Sequence, residues 1–152
     1  MKSNIEIRKV VKDDLPKIFQ IEEDTFAPMH YPLFVLRQFY DILSDLFFVA
    51  VNEHNDIKGY CIGGIDHDSK MGWVFALAVV QSEQNKKIGQ RITVELLKAF
   101  EDKNIGAVQL TTTPDNSAAI KLYEKLGFIK VTEKANYYLD NSPRLIMRLK
   151  SK

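Results

Sequence analysis

The sequence is poor in the residues that make crosslinks and metal sites. Among 152 residues there is one cysteine, Cys61. A disulfide framework and a cysteine zinc site are therefore both excluded within one chain. Cys61 stands in an apolar run and reads as a small core residue. The histidines His30, His54 and His67 show no metal-ligand spacing, so no metal is expected. Lysine plus arginine (21) nearly cancels aspartate plus glutamate (20), leaving a formal net charge of +1. With no global positive field, nucleic acid is not an expected partner, and an acidic ligand would need a local cationic site. No apolar run approaches membrane-spanning length, and Met1, Lys2, Ser3 and Asn4 carry no apolar signal. The expectation is a cytoplasmic protein with no membrane partner. What is present, 45% apolar and 27% charged residues, is the composition of a globular protein. No repeat or linker interrupts the chain, so residues 1–152 are expected to form a single domain.

Local patterns place the elements. Residues 5–8 alternate apolar and polar, as a first strand does. Asp13 reads as an N-cap and Pro16 fits a first helical turn. Leu15, Ile18, Phe19, Glu22 and Phe26 then follow helical spacing until Pro28 and Pro32. Leu36, Phe39, Tyr40 and Leu43 share one face of a helix over 33–43. Residues 47–51 and 57–65 form strands around a turn at Glu53-His54-Asn55-Asp56, and Gly63-Gly64 suggests a bulge. The near-continuous apolar run 73–80 predicts a strand buried on both faces. Ile92, Leu96, Ala99 and Phe100 mark a helix of roughly four turns. Residues 107–113 are a β-branched strand, 117–126 a helix closed by Gly127, and 128–131 and 145–149 two last strands. The order βααβββαβαββ predicts a mixed sheet with helices on its faces.

The segment Leu77-Ala78-Val79-Val80-Gln81-Ser82-Glu83-Gln84-Asn85-Lys86-Lys87-Ile88-Gly89-Gln90-Arg91 combines strand, polar loop and helix start. Free backbone N–H groups and the positive end of a helix dipole meet there, as an anion requires. Gly89 permits close backbone approach, and Lys86, Lys87 and Arg91 add charge that suits a diphosphate. Taken alone, the lysines read as a solvated pair on a loop. The segment is not a P-loop, because no spaced glycines embed the lysines and no Ser or Thr follows them. With one glycine it is not a dinucleotide fingerprint.

Gln84-Asn85-Lys86-Lys87-Ile88-Gly89 resembles the acetyl-CoA loop of the GNAT superfamily, Q/R-x-x-G-x-G/A, with Lys87 in place of its first glycine. Asn116-Ser117-Ala118-Ala119-Ile120-Lys121-Leu122-Tyr123-Glu124-Lys125-Leu126-Gly127-Phe128 is similar to the N-x-x-A-x-x-x-Y-x-x-x-G-F run of the same superfamily. The resemblance implies an α/β (α+β) fold, a mixed, mostly antiparallel sheet of about seven strands with about four helices on both faces. It also implies acetyl-CoA as co-substrate. The backbone of Leu77, Ala78 and Val79 would bind the pantetheine arm. Asn85, Lys86, Lys87, Ile88, Gly89 and Gln90 would hold the pyrophosphate, with Gln84 a cofactor-binding residue at the first motif position. Asn116 would hydrogen-bond the arm, and Tyr123 would act as general acid. With a pKa of about 10 a tyrosine stays protonated at neutral pH, so Tyr123 can donate to the sulfur as the S–C bond breaks.

The implied reaction is direct attack of an amine on acetyl-CoA in a ternary complex. A weaker resemblance points to the ribosomal-protein-alanine N-acetyltransferases, which carry a glutamate twelve residues before the tyrosine. Here that position is Thr111, which cannot act as a base at neutral pH. A water chain, Glu22, His30, Asp66 or no base at all remain open. The acidic-aromatic stretch Glu22-Glu23-Asp24-Thr25-Phe26 and the pair Tyr137-Tyr138 resemble the elements that flank a peptide N-terminus in that subgroup. They read equally as a solvated helix end and ordinary strand tyrosines. The expected acceptor is a peptide N-terminus or an amine-bearing small molecule, and the protein a monomer or homodimer. A catalytically weak acyl-CoA-binding module is the alternative from another class.

Overall fold

A computed structural model describes residues 4–84 and 86–150. Asn85, expected in the coenzyme loop, lies outside the described residues. The elements run β1 (Glu6–Lys9), α1 (Leu15–Phe26), α2 (Leu33–Leu43), β2 (Phe47–Val51), β3 (Ile57–Asp66), β4 (Met71–Val79), α3 (Ile88–Asp102), β5 (Ala107–Thr112), α4 (Ser117–Lys125), β6 (Ile129–Lys134) and β7 (Arg144–Lys150). The strands hydrogen-bond in the order β1-β2-β3-β4-β5-β7-β6. β4–β5 is parallel, and β1–β2, β2–β3, β5–β7 and β6–β7 are antiparallel. Seven mostly antiparallel strands and four helices agree with the fold expected from the sequence. Two compact units divide the chain: Met1–Gly64 with Phe75–Ala99, and Ile65–Val74 with Phe100–Lys152.

In the first unit, α1 buries Leu15, Ile18 and Ile21 at three-residue spacing. They pack with Leu36 of α2, Val49 of β2, and Tyr60 and Ile62 of β3. Asp13 is not the N-cap that the sequence suggested. A 3-10 turn, Lys12–Asp14, intervenes, and Asp14 turns inward. It accepts from the Val11 N–H at 2.8 Å and pairs both carboxylate oxygens with Arg8 at 2.8 and 2.9 Å. The β2–β3 turn is held by Asn52, whose side-chain oxygen accepts the N–H groups of His54 and Asp56, both at 2.9 Å. The register shift in this hairpin lies between Ala50 and Val51. Gly64 serves a close approach, since a Cβ there would stand 2.6 Å from the ring of Phe75.

β4 is not buried on both faces. Gly72, Val74, Ala76 and Ala78 are buried, whereas Phe75 is exposed and Trp73, Leu77 and Val79 are half-buried. Its apolar run is continuous because aromatic rings, rather than a full core, cover part of the second face. Phe39 stacks on Phe75 at 5.6 Å, and Tyr31 meets Phe39 edge-on at 5.1 Å.

In the second unit, β7 pairs along the whole of β5, from Ala107↔Lys150 to Thr112↔Leu145. β6 is an edge strand with all six residues exposed. A register shift between Lys130 and Thr132 and two lysines along it discourage further pairing. Gly72 leaves room for the ring of Phe100, which a Cβ would meet at 2.9 Å.

Candidate active site

In the first unit, the end of β4 leads into the loop that the sequence singled out. The parallel ladder of β4 with β5 covers Met71–Trp73 against Ala107–Gln109, and Leu77, Ala78 and Val79 lie beyond its last pair. A 3-10 turn, Gln81–Glu83, follows. Gln84 turns back on its own strand, donating from Nε2 to the Val79 carbonyl at 3.3 Å. Ile88 is buried and anchors the start of α3. Arg91 N–H donates to the Lys87 carbonyl at 3.0 Å, so Lys87 opens the helix. The N–H groups of the first helical turn have no acceptor within the helix, by helix geometry.

Lys87 has φ +63°. It therefore adopts the left-handed backbone that glycine takes most readily, at about 1–2 kcal/mol for a residue with a Cβ. The expected charge cluster is thinner than the sequence suggested. Lys86 pairs with Glu83 at 3.0 Å, and Arg91 donates to the Ile5 carbonyl at 2.8 Å. Lys87, Gln90 and Arg91 also border a groove of about 550 Å³ with Ile7 and Glu95.

The same unit holds the acidic-aromatic end of α1. Phe26 is partly exposed on its last turn. Glu22 is buried, and both of its oxygens are committed. One accepts the Tyr31 N–H at 2.8 Å, and the other accepts the Tyr60 hydroxyl. Burial, then the neighbouring Glu22 carboxylate, pushes the Tyr60 phenol far above the usual tyrosine range. This buried pair locks the segment after α1. His30 faces Glu23 through Nε2 at 3.5 Å and packs on Phe19. Its Nδ1 is buried without a hydrogen-bond partner among the described residues.

In the second unit, the motif around Tyr123 resolves into two helix caps. Asn116 is the N-cap, its side-chain oxygen accepting the Ala119 N–H at 3.2 Å. At the other end, Phe128 N–H donates to Tyr123 O and Gly127 N–H to Glu124 O, both at 3.0 Å. Gly127 has φ +100°. That pattern is a Schellman motif, and the Tyr123–Phe128 rings, edge-on at 5.4 Å, supply its apolar contact. The spacing Asn116…Tyr123…Gly127-Phe128 is thus the length of a three-turn helix with both ends closed. Tyr123, buried, is held by the C-terminal cap itself.

Tyr138 stands in the β6–β7 loop with its ring edge-on to Tyr137 at 4.8 Å. Its hydroxyl lies 2.8 Å from Thr111 Oγ1. Nothing in the sequence marked that contact, because the two residues are far apart in the chain. Asp66, another candidate base, is exposed, and hydrogen bonds from Ser69 hold its carboxyl below the usual range, which makes it a weak base. Burial pushes the Cys61 thiol up. Among the described residues no cluster of His, Cys, Asp and Glu could hold a metal, and no helix is long and apolar enough to cross a membrane.

An N-alpha-acetyltransferase of Saccharolobus solfataricus is 28% identical, across 93% of this chain and 90% of its own. Among solved structures, a chain of the NatC complex bound to Gag peptide and CoA superposes with a TM-score of 0.89, over 97% of this chain and 99% of its own, at 21% identity. The ribosomal-protein-S18-alanine N-acetyltransferase from Escherichia coli does so with a TM-score of 0.80, over 98% and 96%, at 22% identity. At such identities these structures establish the shared fold. The sequence profile of the acetyltransferase (GNAT) family matches residues 15–128, a span that takes in the loop after β4 and the doubly capped tyrosine helix, so the chain belongs to that family and is an acetyl-CoA-dependent acetyltransferase.

Proposed function

We propose that the chain transfers an acetyl group from acetyl-CoA to the α-amino group of a peptide or protein N-terminus. The whole chain acts as one domain, in the cytoplasm. The observation that carries this reading is the capped helix that fixes Tyr123, in a chain of this family similar to an N-alpha-acetyltransferase. In a ternary complex the amine nitrogen bonds to the thioester carbon. The C–S bond then breaks, the nitrogen sheds one proton to water, the sulfur takes one from the Tyr123 hydroxyl, and the phenolate regains a proton from water. The backbone of Leu77, Ala78 and Val79 binds the pantetheine arm, with a β4 N–H near Val79 facing the oxyanion. Lys86, Lys87, Ile88, Gly89 and Gln90 hold the pyrophosphate, aided by the left-handed turn at Lys87. Asn116 has its side-chain NH2 left to donate to the arm. Phe26, Tyr137 and Tyr138 line the acceptor.

Thr111 leaves the usual carboxylate position without a base. An α-amino group, with a pKa of about 7.7–8.0, has a substantial neutral fraction at neutral pH and needs only water to take its proton, whereas a lysine near 10.4 does not. This favours N-terminal over lysine acceptors. The same Thr111 supports a second reading, a catalytically weak acyl-CoA-binding module. Thiol release from acetyl-CoA, measured with panels of N-terminal peptides and polyamines, separates the two. Turnover on peptides is expected. Tight CoA binding with no thiol released on either panel would overturn transferase activity, and turnover on polyamines alone would overturn the peptide acceptor.

A further inference from the structure

Tyr138 is 54% exposed, yet it is restrained from three directions. Its hydroxyl shares a 2.8 Å hydrogen bond with Thr111. The guanidinium carbon of Arg144 sits 5.3 Å from its ring centroid, and the Tyr137 ring abuts its edge. Arg144 is tethered in turn, donating to Ser142 Oγ at 2.9 Å and to the Pro143 carbonyl at 3.0 Å. The loop backbone is closed by Asn136, whose N–H donates to Ser142 O at 3.1 Å and whose side-chain oxygen accepts the Asn141 N–H at 2.6 Å. Asn136, Leu139 and Asn141 all take left-handed backbone. Holding an exposed aromatic this firmly opposes side-chain and backbone entropy. Its gain is a pre-ordered polar tip, the property that recognition of a flexible ligand needs.

We propose that Thr111 is a positioning residue for Tyr138, orienting its hydroxyl to hydrogen-bond the backbone of the acceptor peptide. This rests on the reading of Tyr138 as an acceptor residue. A carboxylate at position 111 could only accept from Tyr138, which would consume the phenolic proton. A threonine hydroxyl can donate to the phenolic oxygen and leave that proton for a peptide carbonyl, or accept the proton and leave the oxygen for a peptide N–H. The position that could have held a base instead serves binding.

The test compares Thr111→Val, Thr111→Ser, Tyr138→Phe and the double variant Thr111→Val/Tyr138→Phe with the parent in steady-state acetyl transfer to one N-terminal peptide. Thr111→Val is expected to raise the acceptor KM about fivefold, one neutral hydrogen bond's worth. Its kcat, its pH profile and the acetyl-CoA KM stay at parent values. Thr111→Ser restores the parent KM, and the double variant is no worse than Tyr138→Phe. Additive effects of Thr111 and Tyr138, or a fall in kcat with a shifted pH profile at unchanged acceptor KM, would overturn the proposal. A parent that binds CoA but releases no thiol counts against the transferase reading instead. Calorimetric titration of the CoA-loaded proteins with the same peptide then decides the pair. A Kd about fivefold weaker in Thr111→Val and in Tyr138→Phe supports it, and an unchanged Kd, or no peptide binding by the parent, overturns it.

Discussion

Helices α3 and α4 carry the two motifs that the sequence singled out, and they begin by different means. α4 is written in side chains: Asn116 caps its start, and Gly127 and Phe128 close its end around Tyr123. Each residue of its motif has an assigned physical task, so the motif is complete in the sequence. α3 is written in backbone. Its first carbonyl acceptor is Lys87, in a left-handed conformation that its side chain does not favour, and no side chain need be conserved for N–H groups to point outward. A helix end that works through side chains leaves a strict signature. One that works through main-chain groups tolerates a lysine where glycine is usual.

The largest effect should come from the residue that the α4 caps hold. Tyr123→Phe should lower kcat about a hundredfold or more while acetyl-CoA affinity stays within about twofold. An unchanged kcat with chemistry rate-limiting would remove Tyr123 from the acid role. Next is Gly127→Ala, which forces a Cβ into left-handed backbone 3.0 Å from Leu149 Cδ1. A loss of about 1–2 kcal/mol is expected in urea unfolding. No loss would mean that the Schellman motif is not what closes α4.

Asn116 should separate into two roles. Asn116→Ala should lose about 1 kcal/mol of stability with the cap. Asn116→Asp should keep the cap and, having no NH2, raise the acetyl-CoA KM. Equal KM in parent and Asn116→Asp would restrict Asn116 to capping. The smallest effects belong to α3. Lys87→Gly should be more stable than Lys87→Ala by about 1 kcal/mol, because only glycine relaxes at positive φ. CoA affinity, by calorimetry, should fall equally and less than about fivefold in both, since each loses one exposed charge. A far larger loss in Lys87→Gly than in Lys87→Ala would contradict the view that this turn works through backbone shape.

The boundaries of α2 and the buried face of α3 were legible because apolar spacing along one helix is a local property. Ile88, Ile92, Leu96 and Phe100 line one side whatever they pack against. The expectation for β4 failed for a related reason. An apolar run records that water is excluded, not what excludes it, and half-covering rings of Phe39 and Tyr31 leave the same trace as a second core. Asp13 was mistaken for a cap because two adjacent aspartates offer the same oxygen, and Arg8 drew in the second of them.

By itself the sequence determined which segments become strands and helices and where α4 starts and stops. It also determined that Tyr123 is held at a closed helix end, since those outcomes depend on contacts a few residues apart. The tertiary structure alone decided that Glu22 is consumed by Tyr60 and Tyr31, that Lys87 bends as glycine would, and that Thr111 meets Tyr138. The side-chain pairs join residues dozens of positions apart or lock a loop onto the core. The spacing rules of helices and strands do not reach that far, whereas a three-dimensional fold closes that separation to the length of one hydrogen bond.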